Sequence, residues 1–136
     1  MNEDAKKTAL RMIPYGLYVL TAEGKNGAVA AAAINWVTQA SFNPPLVALG
    51  VKADSGAHAI VKETGQFALN VLGKGQQGLA YNFFKSHERQ GDTIGGEPFE
   101  RSPGREINGF LPTGYLFKAF KAGSTSPADG NLLCLF

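Results

Sequence analysis

The sequence predicts a mainly β fold with two or three short helices, read as a small barrel with helical additions. Three observations carry that expectation. Short apolar runs recur at Leu17 to Thr21, Ala28 to Ile34, Leu46 to Val51 and Gln66 to Leu72. Turn-forming residues separate them, as in Glu23-Gly24-Lys25-Asn26-Gly27 and Ser41-Phe42-Asn43-Pro44-Pro45. Helical signals are confined to three short segments. With 136 residues, 44% of them hydrophobic and 18% charged, the chain is sized for one domain, residues 1–136, with a core of its own.

The elements follow in order. Asp4 is a cap residue for a helix running to Ile13, where Ala9, Leu10, Met12 and Ile13 form a partial apolar stripe and Pro14 forbids continuation. Leu17 to Thr21 reads as a strand, and the Asn-Gly turn after it returns the chain as a second strand over Ala28 to Ile34. Helix propensity favours the alanines of that segment, but the turn before it and Asn35-Trp36-Val37-Thr38 after it fit a strand better. Ser41 to Pro45 is a break, because two prolines remove two ladder donors. Leu46 to Val51 resumes as a buried strand. Ser55 is placed to cap a helix reaching Thr64, with Gly65 as its left-handed stop. Gln66 to Leu72 alternates Phe67, Leu69 and Val71 with Ala68 and Asn70, the period of a half-buried strand. Gly73 to Gly75 links to a helix over Gln77 to Lys85. Beyond Gly91 the signal fades, and only Gly114 to Phe120 and Leu132 to Phe136 have the character to pair or pack.

Composition narrows the function classes. A formal net charge of +2, with basic residues scattered along the chain, argues against nucleic acid as a partner. The low-charge stretch Gly27 to Val51 is interrupted by Asn35, Gln39, Asn43, Pro44 and Pro45, so no membrane span is expected. The single cysteine, Cys134, has no internal partner, and no leader-like segment opens the chain; a cytoplasmic setting is expected. Two His and one Cys far apart predict no metal site. The Gly-Xaa-Ser-Xaa-Gly elbow, the Walker loop and the Rossmann fingerprint do not occur, and no catalytic side chain is nominated.

Three clusters are candidates for binding. At Lys52-Ala53-Asp54-Ser55-Gly56-Ala57-His58 a strand delivers the chain to a helix start, where unpaired N–H groups, a hydroxyl, a Lys and a His suit a phosphate. The same residues also read as an ordinary cap beside solvated Lys52 and His58. Asn35-Trp36-Val37-Thr38-Gln39-Ala40-Ser41 offers amides for the polar edge of a flat heterocycle, and the alanine strand leaves room for a ring. Trp36 as a core or interface residue is the alternative. Tyr81 to Arg89 carries aromatics at helical spacing, the usual mark of core packing, and Lys85, Ser86 and Arg89 within reach of an anion.

The order of these features resembles one family. Ile13-Pro14-Tyr15-Gly16-Leu17-Tyr18-Val19-Leu20-Thr21, then Asn35 to Ser41, then Asn43-Pro44-Pro45-Leu46-Val47, then Ser55 and His58 before Gly65-Gln66-Phe67-Ala68-Leu69-Asn70-Val71-Leu72 are similar to the flavin reductase-like domain of the FMN-binding split barrels, over roughly residues 8–90. The resemblance implies a six-stranded antiparallel Greek-key barrel that forms a homodimer, with flavin near the subunit interface. It places phosphate and ribityl contacts on Thr38, Gln39, Ser41, Lys52, Ser55 and His58. Ring contacts fall on the backbone of Asn35, Trp36 and Val37, with Phe84, Lys85 and Ser86 as further candidates. The C-terminal part departs from the pattern: a Gly-Asp-His element is missing, and Gly123-Ser124-Thr125-Ser126-Pro127 stands where a strand is expected, so the barrel is expected to be incomplete at that end.

The activity implied is hydride transfer from NAD(P)H to FMN or FAD, with reduced flavin passing to a flavin-dependent oxygenase or a redox protein. Two alternatives stand beside it. One is a flavin-binding electron-transfer protein without nicotinamide turnover. The other is a degenerate barrel acting as a non-catalytic binding module.

Overall fold

The computed structural model describes residues 2–101, 108–110, 115–119, 123–125 and 132–135, with side chains as far as Phe99. Helix α1 spans Glu3–Arg11 and is capped by Asn2, not by Asp4. The Asn2 Oδ1 accepts the N–H groups of Asp4 at 2.9 Å and Ala5 at 3.2 Å, which leaves Asp4 as a first-turn acid on the positive end of the helix dipole. All of α1 is exposed, so its apolar stripe is not core.

Strands β1 (Tyr18–Glu23) and β2 (Val29–Ile34) form the expected hairpin, in register from Tyr18 opposite Ile34 to Glu23 opposite Val29. β3 (Val37–Phe42) and β4 (Pro45–Val51) form a second one. The expected break at Ser41 is therefore confined to Asn43-Pro44. β3 continues through Phe42 opposite Pro45, because a proline at the first residue of a strand disturbs the ladder least. The register slips between Gln39 and Ser41, a bulge near the sheet edge.

Helix α2 (Gly56–Thr64) has the expected ends: Ser55 caps it, and Gly65 closes it at φ 68°, where its N–H reaches Val61 O at 2.8 Å. β5 (Phe67–Val71) is buried on both faces, not one. Its alternation misleads because Ala68 is small enough for a core and Asn70 is satisfied there, donating from Nδ2 to Val19 O at 2.9 Å. Helix α3 (Gln77–Asn82) stops three residues short of Lys85. β6 (Arg89–Gln90), β7 (Thr93–Ile94), β8 (Glu97–Arg101) and β9 (Asn108–Phe110) form a small meander that the sequence signal did not reveal.

β10 (Tyr115–Ala119) pairs with β5, and β12 (Leu132–Leu135) with β4, as the two C-terminal apolar runs suggest. β11 (Gly123–Thr125) is a strand where the sequence reads an interruption, since its pairing with β12 and not its own propensity sets its conformation. Gly114, Phe120, Ser126, Pro127 and Phe136, which bounded these readings, lie outside the described residues.

Among the described residues three four-stranded antiparallel sheets result, in the orders β10-β5-β1-β2, β11-β12-β4-β3 and β6-β7-β8-β9. The mainly β split-barrel class is thus borne out. The first two sheets and α2 enclose one core, in which Leu20, Leu49, Val51 and Val61 are essentially inaccessible. Each such side chain contributes roughly 1.5–3 kcal/mol. On the opposite face of the first sheet, Val19, Val29 and Ala31 pack with Phe83, Ile94 and Phe99. Central strand β1 consequently has both faces covered, while β2 closes one side of its sheet as an edge. Among the described residues no helix is long and apolar enough to cross a membrane.

Candidate functional site

A cleft of about 530 Å³ runs along the edge of β2. Its floor is Val29 to Ile34, four of whose six side chains are methyl groups, so little stands above the backbone. One wall is the passage from β4 into α2, Val51 to Ala57 with Ile60. The other is Phe83 to His87, the segment leaving α3.

The first wall is a closed turn. Ser55 donates to Lys52 O from its N–H at 3.1 Å and from its hydroxyl at 2.7 Å, while its Oγ accepts the His58 N–H at 3.1 Å. The Ala59 N–H goes to Ser55 O at 3.3 Å. The N–H groups of Gly56 and Ala57 have no acceptor among the described residues, and both residues line the cleft. The positive end of α2 therefore meets the alanine floor. Lys52 Nζ lies 3.1 Å from Asp54 Oδ2, with both side chains more than 70% exposed, so this cation is partly neutralised at the cleft mouth.

The second wall is tied to the floor. The Ala33 N–H, which points away from β1, donates to Phe83 O at 3.0 Å. Phe83 is buried, whereas Phe84, Lys85 and Ser86 are exposed. His87 Nε2 is 2.7 Å from Asn82 O.

Of the residues nominated from the sequence, Lys52, Ser55, Phe84, Lys85 and Ser86 meet in this cleft. Asn35, Trp36, Val37, Thr38, Gln39, Ser41 and His58 are outside its lining. Val37, Thr38, Gln39 and Ser41 lie on β3, the edge of the second sheet, with Asn35 and Trp36 leading into it. Trp36 is 71% exposed and packs over Gly50, where a Cβ would come within 3.2 Å of the indole; its carbonyl accepts the Gly50 N–H at 2.9 Å. Thr38 Oγ1 donates to Gln39 O at 3.3 Å. His58 contributes its backbone N–H to the Ser55 cap. Gly56, Ala57 and His87 stood inside the clusters read from the sequence but were not singled out as contacts. The first two were within reach of that reading, because the residues after any N-cap carry open N–H groups. His87 was not, since its contacts are set by the tertiary fold.

The cleft fits a planar cofactor with an anionic tail. Its volume falls in the range of small-molecule sites, its floor is a strand edge on which four alanines leave room for a ring, and one end carries paired N–H donors. The family described as flavin reductase like domain matches residues 10–118, which extends the likeness beyond 8–90. Diflavin flavoprotein A 1 of Synechocystis sp. is 34% identical over 97 residues, covering 71% of this chain and 17% of that protein. NADH-dependent flavin reductase StyB of Pseudomonas fluorescens is 29% identical over 107 residues, covering 79% of this chain and 57% of that one. The chain thus spans well under two thirds of either relative. Among solved structures, the styrene monooxygenase flavin reductase of Pseudomonas putida S12 superposes with a TM-score of 0.76 at 25% identity, covering 95% of this chain and 80% of that one.

Proposed function

Because the chain belongs to the flavin reductase-like domain family, we propose that it binds FMN or FAD in the cleft along β2 and transfers hydride from NADH or NADPH to that flavin. The observation that carries this reading is the junction of the alanine floor with the open N–H groups of Gly56 and Ala57. In this assignment those two N–H groups and Lys52 hold the phosphate, and the Ser55 hydroxyl joins them by turning its proton from Lys52 O to the ligand. The β2 edge from Ala30 to Ala33 lies under the ring, its methyl groups alternating to either side and too short to stand in the way. Phe84, Lys85 and Ser86 bound it on the far side. The bound flavin supplies the hydride-accepting ring, so no acid or base is required of the protein.

The proposal includes a homodimer. Trp36 and Phe42 are 71% and 85% exposed at the two ends of edge strand β3, whose outer side meets no strand among the described residues. A second copy covering this face gives Asn35, Trp36, Val37, Thr38, Gln39 and Ser41 a subunit boundary to serve. Sedimentation of a Trp36→Ser, Phe42→Ser variant checks this, and a dimer that survives both changes sinks the assignment. The relative named NADH-dependent favours NADH as donor, and a relative named as part of styrene monooxygenase favours an oxygenase as consumer of reduced flavin. Both donors are cytoplasmic metabolites, which places the protein in the cytoplasm in this reading.

A second reading keeps the flavin on the protein as an electron carrier, favoured by the 34% identity to a protein named a diflavin flavoprotein. One experiment separates the readings. FMN is titrated while its fluorescence is followed, and NADH consumption is then measured with excess free FMN as acceptor. Quenching with steady turnover is expected. Quenching without turnover selects the carrier. Neither response selects a cofactor-free binding module.

A further inference from the structure

The wall opposite α2 is held by a side chain that touches none of the phosphate-binding groups. We infer that His87 is a positioning residue, which latches Phe83 to Ser86 against β2 and so fixes the width of the cleft.

The latch is built from three contacts. His87 Nε2 and Asn82 O are 2.7 Å apart, and a carbonyl oxygen only accepts, so Nε2 carries the proton. The Asn82 side chain donates in turn from Nδ2 to Gly95 O at 2.7 Å, joining the end of α3 to the β7–β8 turn. The His87 ring stands edge-on to Phe83, with centroids 5.8 Å apart and planes at 88°, a favourable aromatic geometry. Gly95 completes the fit. It lies at φ 57°, and a Cβ there would come within 3.0 Å of both Asn82 Nδ2 and the His87 ring. Phe83, clamped in this way, presents its carbonyl to Ala33 on the cleft floor at 3.0 Å. Removing the imidazole frees Asn82 O and withdraws the ring from Phe83, which loosens the segment between the end of α3 and the bond that Ala33 makes to it.

The consequence for flavin rests on the cleft reading above, but the latch itself does not. Amide exchange measured by NMR on the apoprotein tests the latch alone. In His87→Ala the amides of Ala33, Phe83 and Phe84 should exchange about tenfold faster, the scale of one lost hydrogen bond, with β1 and β5 unchanged. His87→Gln, whose amide nitrogen sits the same number of bonds from Cα as Nε2, should restore most of the protection. Native protection in His87→Ala, or no rescue by His87→Gln, overturns the inference. If His87→Ala does not fold, Asn82→Asp is the second probe: it keeps the imidazole and removes the donor to Gly95 O, and the same amides should loosen. In turnover, His87→Ala should raise the KM for flavin about tenfold and leave kcat at saturating flavin within about twofold. A fall in kcat with unchanged KM also overturns it. Should the wild-type protein bind no FMN, the flavin reading falls, and the exchange result still decides the role of His87.

Discussion

The wall from Lys52 to Ile60 is held by bonds that reach three or four residues along the chain, from Ser55 to Lys52, His58 and Ala59. The wall from Phe83 to His87 has local bonds too, to Ala80, Tyr81 and Asn82, but its place in the cleft is set by the bonds from Asn82 to Gly95, ahead in sequence, and from Ala33, far behind it, to Phe83. Its few residues outside the latch are exposed. The first wall can therefore form with its own strand–turn–helix segment, while the second is fixed in place only when β2 and the β7–β8 turn have docked. Local opening takes the lower free energy, so the second wall is the part expected to yield first. A site made this way has a fixed anchor for an anionic tail and an adjustable side for the remainder of the ligand.

The largest expected effect falls on the floor that both walls share. Ala30 faces the start of α2, its methyl 3.9 Å from where a Cβ on Gly56 would lie. Ala30→Leu drives three more carbons into that gap. FMN affinity should drop more than about a hundredfold, with a stability loss of about 1–3 kcal/mol from overpacking. Flavin titration and urea unfolding measure the two, and an unchanged affinity removes the flavin from this cleft altogether.

A smaller loss is expected from Ser55→Ala combined with Lys52→Ala. Removing the hydroxyl and the cation should weaken FMN about tenfold or somewhat more. Stability should fall by about 1 kcal/mol, nearly all of it from the lost cap, since the Lys52–Asp54 pair is exposed. Because the first wall is local, amide exchange at Phe83 and Phe84 should not change. Faster exchange there would show that the two walls are coupled and would break the contrast drawn between them.

The same contrast explains what could be read from the sequence. Ser55 and Gly65 were legible as the ends of α2 because caps act within one turn. The hairpin of β1 and β2 was legible from its turn residues. Asn2 and Asp4 are both good cap residues, and choosing between them needed the extended backbone that only Asn2 has. The double burial of β5 was hidden because a covering element is remote in sequence: Asn70 looks solvent-facing until Val19 O is beside it. β6 and β7, with two residues each, are too short to carry a period. In the site, Lys52 and Ser55 are one segment and emerged together. That Phe84, Lys85 and Ser86 stand across from them, and that Thr38, Gln39 and Ser41 belong to another sheet edge, depends on strand order, which the spacing of residues does not encode.

The smallest effect tests how independent the first wall is along its own length. Gly65 ends α2 at φ 68°, a left-handed conformation that costs about 1 kcal/mol for a residue with a Cβ. Gly65→Ala should lower stability in urea unfolding by about that amount, by loosening the turn into β5. The cleft end of α2 is two turns away, where the Ser55 cap and the buried Ala57 and Val61 hold the helix in place. FMN affinity should then stay within about twofold of the wild type, because strain at a helix C-terminus does not reach N–H groups fixed by their own local bonds. If affinity falls along with stability, the anchor depends on the whole of α2 being seated, and the first wall is as much a product of tertiary docking as the second.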